Sequence, residues 1–116
     1  MPVKIKRIYE PYSKDDGYRI LVDRLWPRGI KKEEAHIDKW MKEIAPSTDL
    51  RKWFHQDSET DHWKQFVKSY QAELKKSDVV EELLSDIDNH HTVTLLYAAK
   101  NEEHNHALIL QQFINS

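Results

Sequence analysis

The 116-residue sequence contains no cysteine, only two glycines and only four prolines. The absence of cysteine excludes disulfide bonds, thiolate metal sites and cysteine nucleophiles. With so few glycines and prolines the chain has few obligatory breaks, and it contains no internal repeat, low-complexity tract or linker. We therefore expect one α/β domain that spans residues 1–116.

Long apolar runs and a strong charge of one sign are also missing. No run of about 18 apolar residues exists and the N-terminus lacks an apolar signal segment, so we expect a soluble, cytoplasmic protein without a membrane span. The formal net charge is −2 at pH 7, so no global positive field attracts nucleic acid. P-loop, dinucleotide-binding, nucleophile-elbow and zincin motifs are absent, so the cofactor is left unspecified.

Three segments have the composition of β-strands. Residues 3–9 begin with alternating apolar and basic side chains, residues 18–25 contain an Ile-Leu-Val run, and residues 93–99 carry no charge. An uncharged run of this kind is typical of a strand buried on both faces, as in a parallel sheet. About nine residues connect the first two strands, which leaves open whether they are antiparallel or joined by an irregular parallel crossover.

Helical spacing of apolar residues fills the segment between the second and third strands. We expect helical segments at residues 31–35, 38–44, 48–55, 63–74 and 80–87. A last helix is expected from about Glu102 to Phe113, with Asn101 as its cap. The predicted fold class is α/β, with a small, mostly parallel sheet of about three strands covered by helices on both faces.

The second strand is followed by Asp23, Arg24 and Arg28, next to a turn at Gly29. Open α/β folds bind ligands at the carboxyl edge of the sheet, so these side chains are candidates for a ligand site. Two arginines near a tight turn can form a fork for phosphate or carboxylate. The structural alternative is that Asp23 pairs with an arginine and only holds the loop.

The third strand leads into a polar cluster that contains Lys100, Glu103, His104 and His106. Imidazole and carboxylate groups suit a metal ion, but two histidines two residues apart point to nearly opposite sides of a helix, so we assign no metal ligands. One histidine is a candidate general acid or base, and a structural hydrogen-bonding role is the alternative. A helix start also attracts anions, although Glu102 and Glu103 would already supply negative charge there.

A third cluster, residues 51–55, interleaves Arg51 and Lys52 with aromatic side chains, as surfaces that stack on nucleic-acid bases do. The simpler interpretation is an amphipathic helix with Trp53 inside and the basic side chains extended to solvent. Tyr97 within the third strand is a further candidate, because its hydroxyl can reach the same edge.

Five motifs together resemble one protein family. They are residues 23–29, 45–47, 50–54, 95–100 and 103–107. From about Ile5 to its end the sequence resembles the YeaO-like branch of the domain of unknown function 488 family, which has no agreed biochemical activity. The resemblance implies a small α/β domain with parallel first and second strands. It also implies that one site is shared by Arg24, Arg28, Arg51, His104 and His106.

Longer relatives in that family carry cysteine at the positions of Tyr97 and Asn105, and arginine at that of Ala107. None of these is present in this chain, so a thiol or metal role does not carry over from the resemblance.

The leading hypothesis is a pocket for a small anionic ligand that bears phosphate or carboxylate, nucleotides included. Arg24, Arg28 and Arg51 hold the ligand, and His104 or His106, oriented by Asp23 or Glu103, transfers a proton. The alternatives are a non-catalytic nucleic-acid-binding or regulatory module, which the net charge disfavours, and a metal-dependent hydrolase. The sequence specifies neither the reaction nor the oligomeric state.

Overall fold

The computed structural model of the chain, which describes residues 3–54 and 59–115, is organised around a four-stranded parallel sheet. In chain order the elements are β1 (Val3–Arg7), β2 (Tyr18–Leu21), α1 (Lys32–Ala35), β3 (Lys39–Trp40), α2 (Thr48–Phe54), α3 (Glu59–Lys76), α4 (Val79–Asp88), β4 (Val93–Tyr97) and α5 (His106–Asn115). The strand order is β1-β4-β2-β3, and every neighbouring pair is parallel. The α/β prediction is confirmed, with one strand more than expected.

The central position of β4 explains why its sequence carries no charge. Val93 is in register with Val3 of β1 on one side and with Tyr18 of β2 on the other. All five residues of β4 are buried, because the strand is paired along both edges and covered on both faces. Since β1 and β2 both run parallel to β4, they are parallel to each other, as the family resemblance implies.

The two faces of the sheet are covered unequally. One face packs against α2, α3, α4 and α5 through side chains such as Ile20 and Leu95. The opposite face carries Leu21 and Leu96, which pack with Ile8 and with loop residues. Neighbouring residues of a strand point to opposite faces, so each strand contributes to both layers. The short helix α1 lies on this second face, so helices cover both sides of the sheet, as predicted.

The helix predicted over residues 38–44 is wrong. Lys39–Trp40 forms the edge strand β3, and only Lys42–Ile44 makes a single turn of 3-10 helix. The backbone of this segment pairs with β2 instead: Met41 N donates to Leu21 O at 2.9 Å. Tertiary pairing with an exposed strand edge therefore overrides the helical spacing of the apolar residues.

Asp16 is a buried carboxylate that connects three elements of the fold. It accepts hydrogen bonds from Lys6 Nζ at 3.0 and 3.1 Å, from Ser13 N at 3.1 Å and from Arg19. Arg19 also donates to Ala35 O at 3.2 Å and thereby ties α1 to β2. Burial alone would raise the pKa of Asp16, but the hydrogen bonds from these three residues outweigh burial and hold that pKa below its ordinary value.

Candidate functional site

A cavity of ≈ 800 Å³ opens at the carboxyl edge of the sheet. Its walls come from the loops that follow all four strands, and from side chains of α2, α3 and α5. The loops meet here because all four strands are parallel and end at the same edge. Segments that are far apart in sequence therefore share one cavity.

Most of the residues proposed from the sequence line this cavity. They are Asp23, Arg24, Arg28, Arg51, Lys100, His104 and His106. Tyr97 and Glu103 are not among the lining residues. Tyr97 is 3% exposed and packs in the core on the helical face, where burial raises its pKa, assisted by Glu102 and Glu10. Glu103 is exposed to solvent.

The charged side chains in the described part of the cavity wall are mostly cationic. Arg24, Arg28, Arg51 and Lys100 stand against a single carboxylate, Asp23, which leaves a surplus of three positive charges when both histidines are neutral. The whole chain has a formal net charge of −2, so the positive charge is local to this cavity. A cleft lined by one sign of charge focuses its field and attracts oppositely charged ligands.

The arginines of the cavity differ in how they are engaged. Arg24 donates to Pro46 O at 3.2 Å and to Ala45 O at 3.1 Å, so it braces the wall. Arg28 is exposed. Arg51 Nε is buried and has no hydrogen-bond partner in the described part of the chain. A buried N–H without an acceptor costs about 1–3 kcal/mol.

The loop over residues 23–30 is fixed by hydrogen bonds from aromatic side chains to its backbone. The bonds run from Tyr9 Oη to Arg28 O (2.8 Å), from Trp26 Nε1 to Ile30 O (2.7 Å) and from Trp40 Nε1 to Asp23 O (2.7 Å). These contacts hold the backbone of the loop and do not involve the Arg28 guanidinium. The cavity is therefore preformed, which lowers the entropic cost of ordering it around a ligand.

Asp23 and His106 form a pair in the cavity wall. His106 Nε2 lies 2.9 Å from Val22 O and 3.1 Å from Asp23 Oδ1, and Asp23 Oδ2 accepts a hydrogen bond from Ala98 N at 2.9 Å. Because both neighbours of Nε2 are acceptors, this nitrogen carries a proton in either charge state of the ring. His106 Nε2 is therefore a donor that ties α5 to β2, and it cannot accept a proton in this arrangement.

The last helix begins at His106 and not near Glu102 as predicted. Asn105 is the residue that caps it: Oδ1 accepts a hydrogen bond from Leu108 N at 2.9 Å. Asn101 forms a separate turn, in which its Oδ1 accepts hydrogen bonds from Glu103 N and His104 N, both at 2.9 Å. The sequence offers two asparagines four residues apart, and the second one starts the helix.

The later start of α5 changes the electrostatics of the site. Glu102 and Glu103 lie outside the helix and are exposed, and the first turn of α5 contains no acidic residue. The expected competition between these carboxylates and an anion at the helix start is therefore absent. Residues 104–106 line the cavity, so the positive end of the α5 dipole lies beside it.

Replacing Asn105 with alanine is expected to destabilise the protein by about 1–2 kcal/mol, because the cap of α5 is lost and the buried side chain also donates to Asn101 O. Urea unfolding followed by circular dichroism measures this change. The matched control is Asn101→Ala, which removes an exposed turn and should cost at most half as much. Equal losses would contradict the assignment of Asn105 as the cap.

The aromatic residues of the cluster at 51–55 are engaged within the protein. Trp53 stacks on His62 with ring centroids 4.5 Å apart, and Phe54 is 3% exposed. This arrangement agrees with the amphipathic-helix interpretation and leaves no ring of α2 displayed for stacking on bases. His55 lies outside the described residues.

Neither a metal-binding cluster nor a helix able to span a membrane is present in residues 3–54 and 59–115. This part of the chain contains no group of three His, Asp or Glu side chains arranged to hold a metal ion. His104 stacks on Trp63 with centroids 4.6 Å apart, while His106 Nε2 is hydrogen-bonded to Val22 O. None of the helices there combines the length and apolar character that crossing a bilayer requires.

Several cavity residues carry no recognisable signal in the sequence. Tyr9 follows β1 and Phe66 belongs to α3, and both line the cavity only because β1 pairs with β4 and α3 packs beside α2. Leu25 and Pro46 belong to motifs noted for the family, but their apolar side chains gave no chemical reason to select them.

The fold and the cavity define a small parallel α/β domain with a cationic pocket at the carboxyl edge of its sheet. The chain belongs to the domain of unknown function 488 family, in the branch described as the inactive DUF488-N3 subclade, whose family model matches residues 2–116. The resemblance seen in the sequence is thereby confirmed.

Three similar proteins are each described as uncharacterized. The chain is 49% identical over 116 residues to the uncharacterized protein YeaO of Escherichia coli (strain K12). The matched region covers 100% of this chain and 99% of YeaO. It is 38% identical over 113 residues to the uncharacterized proteins Rv3073c of Mycobacterium tuberculosis and Mb3100c of Mycobacterium bovis, covering 97% of this chain and 93% of each relative. No solved structure gives a significant match.

Proposed function

We propose that the cavity binds a small organic anion bearing phosphate or carboxylate, and that the protein acts through binding and not through catalysis. The observation that carries this proposal is the convergence of Arg28, Arg51 and Lys100 on one preformed cavity. Arg51 Nε has no hydrogen-bond partner in the described part of the chain, so the Arg51 side chain is less committed than that of Arg24 and suits a charge-assisted contact with an anion.

The start of α5 adds to the attraction for an anion. Residues 104–106 line the cavity, and no acidic side chain occupies the first turn of the helix. The N-terminus of a helix carries a partial positive charge and unpaired N–H groups, so it stabilises a nearby anion. The field of the helix and the surplus of arginine and lysine therefore act in the same direction.

Catalysis by a histidine has weaker support than binding. His106 Nε2 is already hydrogen-bonded to Val22 O and lies beside Asp23, so this nitrogen is not free to accept a proton from a ligand. His104 is stacked on Trp63. The description of the matching subclade as inactive also favours a binding role.

No specific observation favours the two alternative functions. The aromatic residues of α2 are packed inward, which weakens the case for a nucleic-acid-binding module. A metal-dependent hydrolase needs a set of ligands, and the described part of the chain contains none.

Replacing Arg51 with methionine is expected to weaken the binding of inorganic phosphate about tenfold to a hundredfold, because a hydrogen bond to a charged group contributes about 1.5–3 kcal/mol. Isothermal titration calorimetry at low salt measures the affinity. Folding stability should not fall, since Arg51 Nε makes no hydrogen bond in the described part of the protein.

Lys52→Met is the matched control for this experiment. Lys52 belongs to the same helix, carries the same charge and is exposed outside the cavity, so its loss should leave phosphate binding nearly unchanged. The proposal fails if the wild-type protein shows no phosphate binding. It also fails if the two variants lose affinity equally, because the attraction would then come from general surface charge.

A further inference from the structure

The mouth of the cavity exposes two large apolar side chains. Leu25 is 59% exposed and Tyr9 is 45% exposed, and both line the cavity. Leu25 is the most exposed large hydrophobic residue in the described part of the chain. Apolar surface left in water is unfavourable, and a ligand that covers it gains affinity in proportion to the area removed from solvent.

The floor of the same cavity is aromatic. Phe54 and Phe66 both line it, and their rings are stacked with centroids 4.1 Å apart. Arg51 and Phe54 are three residues apart on α2, so they are neighbours on one face of that helix. Arg51 and Phe54 are thus placed side by side. The cation of Arg51 can contact an anionic group, and the ring of Phe54 can contact the organic part attached to that group.

The volume of the cavity exceeds what a simple inorganic anion fills. Cavities of about 300–1,000 Å³ are typical of sites for organic ligands, and this one measures ≈ 800 Å³. A bare phosphate would leave most of the apolar wall in contact with water. The size and lining therefore suit an anion that is attached to an apolar body.

From these observations we infer that the ligand is a phosphate monoester of a flat, ring-bearing organic molecule; this inference rests on the proposed anion-binding function. The phosphate group meets Arg28, Arg51 and Lys100, and the ring lies between the Leu25–Tyr9 rim and the Phe54 floor. A phosphate dianion suits a surplus of three positive charges better than a singly charged carboxylate does.

Calorimetric titrations with phenyl phosphate, inorganic phosphate and benzoate test this inference. Phenyl phosphate is expected to bind at least about tenfold more tightly than either of the other two probes. Leu25→Ser should weaken the binding of phenyl phosphate about fivefold and leave the affinity for inorganic phosphate unchanged. The matched control is Leu84→Ser, since Leu84 is 39% exposed on α4 and does not line the cavity; it should change neither affinity.

The outcomes separate this inference from the proposed function. If inorganic phosphate binds through Arg51 but phenyl phosphate binds no more tightly, the ring-bearing ligand is excluded and anion binding stands. The same conclusion follows if Leu25→Ser behaves like Leu84→Ser. Benzoate binding as tightly as phenyl phosphate overturns the preference for phosphate. If none of the probes binds, both the inference and the proposed function fail.

Discussion

Replacing Gly17 with alanine is expected to destabilise the protein by about 3 kcal/mol or more and to lower the yield of folded protein. Gly17 has φ +69°, and a Cβ at this position would collide with the backbone carbonyl of Thr92. Neither backbone can retreat easily, because Tyr18 N donates to Thr92 O at 2.9 Å where β2 meets β4. Strain at a positive φ and overpacking contribute about 1–3 kcal/mol each.

Gly29→Ala provides the control for this prediction. Gly29 has φ +81°, but a Cβ there would have no atom within 4 Å, so the substitution introduces strain without a collision. Its expected cost is about 1 kcal/mol. Urea unfolding followed by tryptophan fluorescence compares the two variants. Equal destabilisation would show that the close approach of Gly17 to Thr92 is not the decisive feature.

Replacing Asp16 with alanine is expected to lower the free energy of unfolding by about 3–5 kcal/mol at pH 7. The substitution leaves Lys6 and Arg19 without their shared carboxylate, and Arg19 is only 2% exposed. The matched control is Asp15→Ala at the exposed neighbouring position, which should change stability by less than about 0.5 kcal/mol.

The contribution of Asp16 to the free energy of unfolding should also depend on pH. The folded-state pKa of this carboxyl lies below its ordinary value of 3.8, so the ionised form stabilises the fold. This contribution is fully present above the unfolded pKa and is lost as the pH falls through the folded pKa. The stability gap between wild type and Asp16→Ala should therefore narrow below about pH 4. A gap that stays constant from pH 7 to pH 3 would contradict the role of Asp16 as a paired carboxylate.

Local patterns predicted the larger elements of the fold, and tertiary context decided the rest. The uncharged run at 93–99 identified the central strand, because a strand buried on all sides has no position at which a charged side chain reaches water. Lys39–Trp40 is a strand only because the edge of β2 is available for pairing, and no local signal encodes that edge. The start of α5 was misplaced because Asn101 and Asn105 are equally good caps in sequence.

The candidate site was predictable where a residue follows a strand. Parallel strands end at one edge, which predicts that Asp23, Arg28 and His106 lie together, and all three line the cavity. Arg51 lies within α2 and does not directly follow a strand, and only the family resemblance linked it to the others. Tyr97 shares the core-facing side of β4 with Leu95, so alternation along the strand directs its side chain into the helical layer.

The most direct test of anion binding follows the Arg51 Nε–Hε signal by 15N NMR while inorganic phosphate is added. Arg19 supplies an internal reference, because its Nε is likewise buried without a partner in the described part of the chain but lies outside the cavity. The expected result is a saturable shift of the Arg51 signal with the Arg19 signal unmoved. A stationary Arg51 signal, or equal shifts of both signals, would contradict anion binding in the cavity.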